Sequence, residues 1–307
     1  MNLFVLGNGF DREHGLPTSY MDFRDYLEDQ DWSYLASLEA PYGCLPGSRR
    51  DYVEKYLWQE FENNLYKIND SEIVDGCMSI EMGLESGDVG IEDTLDVYWE
   101  EQYGYIQRLN DYIKSWVEQI DIHVQKKTNR IKRSTDDIFI SFNYTLLLEK
   151  VYKIDKYRIL HIHGSIDTDD IPPVIGHGNL EKMKEAKKQA YEAGNKFWEK
   201  ESSIYNALAN YYERTLKDVP LYLTMHSFYF NSLKPVDQVF IVGHSFGEVD
   251  LPYFKKVMNS IQANAVWNIY YYKEEEADVF KAKIISIGVR PEQVRALPSK
   301  EFFDKQR

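Results

Sequence analysis

Gly243-His244-Ser245-Phe246-Gly247 spells the G-x-S-x-G of a serine hydrolase's nucleophile elbow, in which the serine stands on a strand-to-helix turn. The preceding VDQVFIV reads as the strand such a turn requires. In α/β hydrolases, however, the triad runs serine, then acid, then histidine, and the last of the seven histidines is His244. Ser245 therefore has no partner in the required order. The same turn has another use, which is to aim backbone amides and the Ser245 hydroxyl at a nucleotide. A second glycine string, Gly7-Asn8-Gly9-Phe10-Asp11, ends the first apolar run, where α/β sheets bind nucleotides. The third glycine of a dinucleotide fingerprint is replaced by Arg12, which argues against a hydride-transferring dehydrogenase. His161 and His163, with His177, could bind a metal, but no carboxylate sits at a recognisable ligand spacing and no metal is expected.

These strings must be held by elements that the hydropathy pattern outlines. Short apolar runs at 2–6, 137–142, 159–163, 173–175, 236–242 and 265–272, several ending in Gly, Asn or His, read as buried strands. The pattern predicts an α/β fold: a mostly parallel, Rossmann-like sheet with helices on both faces. Between the first two strands, apolar positions at helical spacing (Trp58, Phe61, Leu65; Ile106, Leu109, Ile113, Trp116, Ile120) predict a large helical insertion. The expected division is a core of residues 1–24 and 134–307, an insertion at 25–133, and a helical lid or outer layer of the core at 180–218. The acidic run 81–101 is expected to be a mobile loop without chemistry.

The chain's 307 residues carry a net charge of −14, which opposes binding to nucleic acid or an anionic membrane. Two cysteines make neither a disulfide framework nor a four-thiolate zinc site. No apolar stretch is long enough to span a bilayer, and the first residues lack the basic and apolar regions of a signal peptide, so a cytoplasmic location is expected.

The string GNGFDREHGLPTSYMDF resembles the opening of the bacteriophage abortive-infection AbiH family, as do WQEFENNL, FNYTLLLEKVY with HIHGS, and GHSFGEVDLPYF further on. The same blocks in the same order also resemble a remote sirtuin NAD-binding core. Gly7-Asn8-Gly9-Phe10-Asp11 with Gly15-Leu16-Pro17 stands for its first glycine loop, Ser141-Phe142-Asn143 for its T-x-N, His163-Gly164 for its H-G, and Gly243-His244-Ser245 for its last loop. Three departures stand out: Asp11 replaces a small hydroxyl residue, Thr145 stands where an Asp follows the Asn, and the zinc ribbon's cysteines are absent. The resemblance implies a nucleotide pocket lined by Gly7, Asn8, Gly9, Phe10, Asp11, Gly243, Ser245 and Asp250, with NAD as substrate or ligand. It also implies hydrolysis of the nicotinamide glycosidic bond in phage defence and not protein deacetylation. The alternative is a non-catalytic nucleotide-sensing or interaction module whose insertion contacts a partner. A phage-derived trigger and self-association are left open.

Under that reading Asn143 holds water and a ribose hydroxyl, and His163 takes a proton, since an imidazole titrates near neutrality. Asn143 could also cap a helix beginning near Leu146. His161 and His163 are expected on one strand face by the period of two, one of them structural, with His163 favoured because Gly164 leaves space beside it. Asp11 and Asp250 are each expected to cap the following helix or to bind ribose. Glu62 is expected either to point inward or to pair with a lysine or arginine.

Overall fold

The computed structural model describes residues 1–80 and 104–303; the acidic run 81–101 lies outside them. The chain forms two compact units. The first comprises Met1–Ser19, Ile113–Val174 and Asp218–Arg307, and the second Tyr20–Tyr112 and Ile175–Lys217. Most of 180–218, expected as a lid or outer layer of the core, falls in the second unit, which takes 175–217.

The first unit holds six parallel strands: β1 (Asn2–Leu6), β2 (Ile138–Ser141), β3 (Ile159–His161), β4 (Gln238–Val242), β5 (Val266–Tyr271) and β6 (Val294–Pro298). Their order is β3-β2-β1-β4-β5-β6. That is the doubly wound arrangement in which the winding direction reverses between β1 and β4, the place where such sheets bind ligands. Side chains alternate between faces, and the sequence uses both. Leu3 and Val5 of β1, Ile140 of β2, Val239 and Ile241 of β4 and Trp267 and Ile269 of β5 share one apolar cluster. Helices Leu251–Ser260 and Glu276–Ser286 seal it with Tyr253, Phe254, Val257 and Ile284. On the opposite face the register aligns Phe4 with Phe139 and with Phe240. Their rings stack at 5.3 and 5.0 Å, and Phe302 meets Phe4 edge-on. Cross-strand aromatic ladders of this kind stabilise a sheet beyond simple burial.

Two strand expectations need correction. Residues 173–175 form no strand, because Pro172 and Pro173 have no amide hydrogen to offer a ladder. The edge strand β6 was not read from the sequence, since Val-Arg-Ala-Leu-Pro is short and contains an exposed Arg295. Its rim position demands little hydrophobicity.

In the second unit, 180–217 forms two helices, Leu180–Asn195 and Glu199–Arg214, broken at Phe197 with φ of 58°. Trp58, Phe61 and Leu65 are all buried, as their spacing predicted. Cys44 and Cys77 are both buried. Among the described residues no helix is long and apolar enough to cross a membrane.

Candidate functional site

All the loops singled out in the first unit leave the carboxyl ends of β1 to β4. β1 runs through Gly7 directly into the helix Asn8–Glu13, while β4 ends at Val242, just before Gly243. The two loops touch backbone to backbone. A Cβ on Gly243, whose φ is +69°, would lie 2.2 Å from the Phe10 nitrogen, and one on Gly9 would lie 2.7 Å from the Gly243 Cα. Hydrogen bonds close the seam. The Gly7 amide donates to Val242 O at 3.0 Å, that of Gly9 to Gly243 O at 2.8 Å and that of Phe10 to Gly7 O at 2.9 Å. These glycines therefore join the loops, and the three amides are taken up within the protein. The Phe10 ring is buried against His14 and Tyr152, and the exposed Asn8 accepts a hydrogen bond from the Thr18 hydroxyl.

Beside this seam lies a buried polar network. Asp11 is 1% exposed and stands inside the helix Asn8–Glu13, so it does not cap that helix. Its carboxyl accepts from Asn143 Nδ2 at 2.6 Å and from Thr145 Oγ1 at 2.5 Å. Burial pushes Asp11 up to about 7, with the hydrogen bonds from Thr145 and Asn143 pulling the other way. The two departures from the sirtuin-like pattern, an acid at 11 and a hydroxyl at 145, are thus bonded to each other. Asn143 Nδ2 also donates to Gly7 O at 3.2 Å. Two acceptors on that side fix the orientation of the amide. Asn143 Oδ1 therefore points away from them, buried and without a hydrogen-bond partner among the described residues. The helix-capping expectation for Asn143 fails because its side chain is committed here; the next regular element is a π-turn at Leu148–Tyr152.

The two neighbouring histidines have different partners. β3 stops at His161, and His163 follows in a turn, so the period of two does not extend to it. His161 Nδ1 donates to the main-chain O of Asn143 at 3.0 Å, and its Nε2 meets Glu149 Oε1 at 2.8 Å. Burial alone would lower the affinity of His161 for its proton, but Glu149's hydrogen bond and charge outweigh it and leave the pKa raised. His163 packs edge-on against Phe142 and Tyr253, with Nε2 3.8 Å from Asp250 Oδ1. Gly164 does not leave open space: at φ +80° its missing side chain admits the main chain of Ile171 and Pro172.

Asp250 precedes the helix Leu251–Ser260 but makes no side-chain cap, which corrects that expectation. Its carboxylate instead faces His163 and, at 3.4 Å, His244 Nε2. His244 Nδ1 accepts the Phe246 amide at 2.9 Å, so the ring's proton sits on Nε2, toward Asp250. Ser245 is exposed, and no described residue hydrogen-bonds its hydroxyl. The left-handed residues of this turn are Gly243 and Phe246, not the serine, and the helix begins only at Leu251. This is not the geometry of a nucleophile elbow.

Glu62 belongs to the second unit. Its carboxylate takes Lys217 Nζ at 2.6 Å and the Tyr20 hydroxyl at 2.7 Å, with the Lys217 side chain fully buried. The lysine-pairing alternative describes it. His177, also in that unit, is pushed down to about 4 by burial and accepts the Asn179 amide. Among the described residues no three His, Cys, Asp or Glu side chains converge as a metal site. Sequence reasoning missed Glu149 and the role of His244. Neither lies at a telling spacing: Glu149 reaches His161 only because a π-turn carries it, and His244 was hidden inside the G-x-S-x-G string.

A family model described as bacteriophage abortive infection AbiH matches residues 3–271. No curated protein matches the chain.

Proposed function

Since the chain belongs to the bacteriophage abortive-infection AbiH family, which places it in phage abortive infection, we propose that its first unit binds NAD or a related nucleotide and hydrolyses the nicotinamide glycosidic bond. One observation carries the reading: Asn143 Oδ1 is a buried acceptor, oriented by its own network and lacking a hydrogen-bond partner among the described residues, at the carboxyl end of a strand beside the point where the sheet's winding reverses. Such an atom suits a ribose hydroxyl or a water. The strand order adds support, because doubly wound sheets bind nucleotides at that edge.

In this reading water attacks the anomeric carbon as the bond to the nicotinamide nitrogen breaks. The bonding electron pair passes to the pyridinium ring, so nicotinamide leaves neutral and needs no acid. The water's proton goes to His163, whose Nε2 stands 3.8 Å from Asp250 Oδ1. The products are nicotinamide, ADP-ribose and a proton. The amides of Gly9 and Phe10 are committed to the seam, so recognition of the pyrophosphate falls to other groups of the loops.

The test is nicotinamide release from NAD by the purified protein. Asn143→Ala and His163→Ala are each expected to lower it by about 10²–10⁴-fold. Absence of release by the wild type, with phage lysates supplied as triggers, sinks the hydrolytic reading; equal rates in all three proteins would move the site elsewhere. The rival, a nucleotide sensor without turnover, draws on the low exposure of Asn143 and His163, 8% and 3%. Calorimetric binding of ADP-ribose without nicotinamide release would favour it.

A further inference from the structure

The contact between His161 and Glu149 assigns a task to two side chains that the proposed reaction does not itself use. We infer that Glu149 is a positioning residue for Asn143, acting through an imidazolium at His161; its importance for turnover rests on the hydrolytic reading above, but the geometry does not. The Asn143 carbonyl can only accept, so His161 Nδ1 carries a hydrogen. A neutral ring would then turn the lone pair of Nε2 toward a carboxylate oxygen at 2.8 Å. A second proton on the ring removes that conflict and makes both contacts attractive.

The surroundings agree. Glu149 Oε2 is buried without a hydrogen-bond partner among the described residues, so its charge is answered by His161. Asp170 and Asp167 also act on His161 at longer range, both with the sign that favours a cation. Asn143 is consequently gripped at both ends. Asp11 and Gly7 hold its side-chain nitrogen, while His161 and Ser141 Oγ hold its main-chain oxygen. Oδ1 is left as the atom this grip aims.

The experiment is long-range 1H–15N spectroscopy of the imidazoles in the whole protein, with His161 assigned from its disappearance in His161→Gln. Both His161 nitrogens are expected to show protonated shifts at about pH 7, above the ordinary imidazole value of about 6.5. A lone-pair signature at Nε2 at about pH 7 would overturn the proposal. Glu149→Gln supplies an amide that can donate to Nε2, so His161 becomes neutral while the contact persists. The side-chain amide signals of Asn143 must then shift and exchange faster; unchanged signals would also overturn it. If the wild type releases nicotinamide, Glu149→Gln should lower kcat by about 10- to 100-fold with KM little changed, and Glu149→Asp should recover part of the loss. An inactive wild type with both spectroscopic results intact refutes the hydrolysis and leaves the positioning role standing. Should Glu149→Gln fail to fold, the wild-type His161 spectrum alone decides.

Discussion

His161 is bonded at both ring nitrogens, at 3.0 and 2.8 Å, whereas His163, two residues on, stands 3.8 Å from the carboxylate it faces. The first distances are those of hydrogen bonds and the second is not. A ring held at both nitrogens by acceptors can hold a loop still but cannot exchange protons with a substrate. One packed among aromatic rings at ion-pair distance from Asp250 can tighten that contact when a charge develops. The difference follows from chain geometry. His161 ends a strand and is aimed by the ladder, while His163 sits in the turn that follows.

Removing one partner from each group is the strongest way to break this comparison. Glu149→Ala leaves the His161 charge buried without its partner and should cost about 3–5 kcal/mol in urea unfolding. Asp250→Ala, which removes longer contacts, should cost about 1–2 kcal/mol. Equal losses would mean that the two groups do the same structural work.

A slightly smaller effect concerns pH. With Asp11 raised from 3.8 to about 7, the native state holds a proton that the unfolded chain has released. Stability should therefore be greatest in mild acid and fall as pH rises to about 7, by roughly 4 kcal/mol in all. The raised His161 slopes the same way, its contribution being lost as pH rises through its folded value. Thermal unfolding of wild type and Asp11→Asn across this range tests it; the variant should lose most of the slope. Thr145→Val deletes one hydroxyl from the network and should cost about 1–2 kcal/mol, measured the same way. Ser245→Ala lies at the bottom of the scale. It should leave stability unchanged, and a fluorophosphonate probe should leave Ser245 unlabelled.

Much of the fold was legible because buried parallel strands must be apolar on both faces, and β1, β2, β3, β4 and β5 all announced themselves in that way. Edge strand β6 carried no such signature, and the apolar run 173–175 opens on Pro173 directly after Pro172. Asp11, Asn143, His163 and Asp250 could be picked out because they fall in the strings GNGFD, SFN, HG and GHSFGEVD that carry the family resemblance. Their partners could not. The pairing of Asp11 with Asn143 and Thr145 joins residues more than 130 positions apart in the chain. Glu149 reaches His161 only through a π-turn, and Asp250 ignores the cap that its position suggested. Local propensity addresses backbone amides nearby, whereas these carboxylates answer charges and donors brought in by the sheet.

The seam between Gly9 and Gly243 has a consequence for genetics. Any side chain at 243 collides with the main chain of the first loop, so substitutions there should remove phage protection as thoroughly as loss of His163. A loss-of-function screen would then rank GHSFG among the essential motifs and invite its interpretation as a serine hydrolase. The amount of soluble protein tells the two cases apart: Gly243 variants should vanish from the supernatant, while His163 variants remain there, folded and inert.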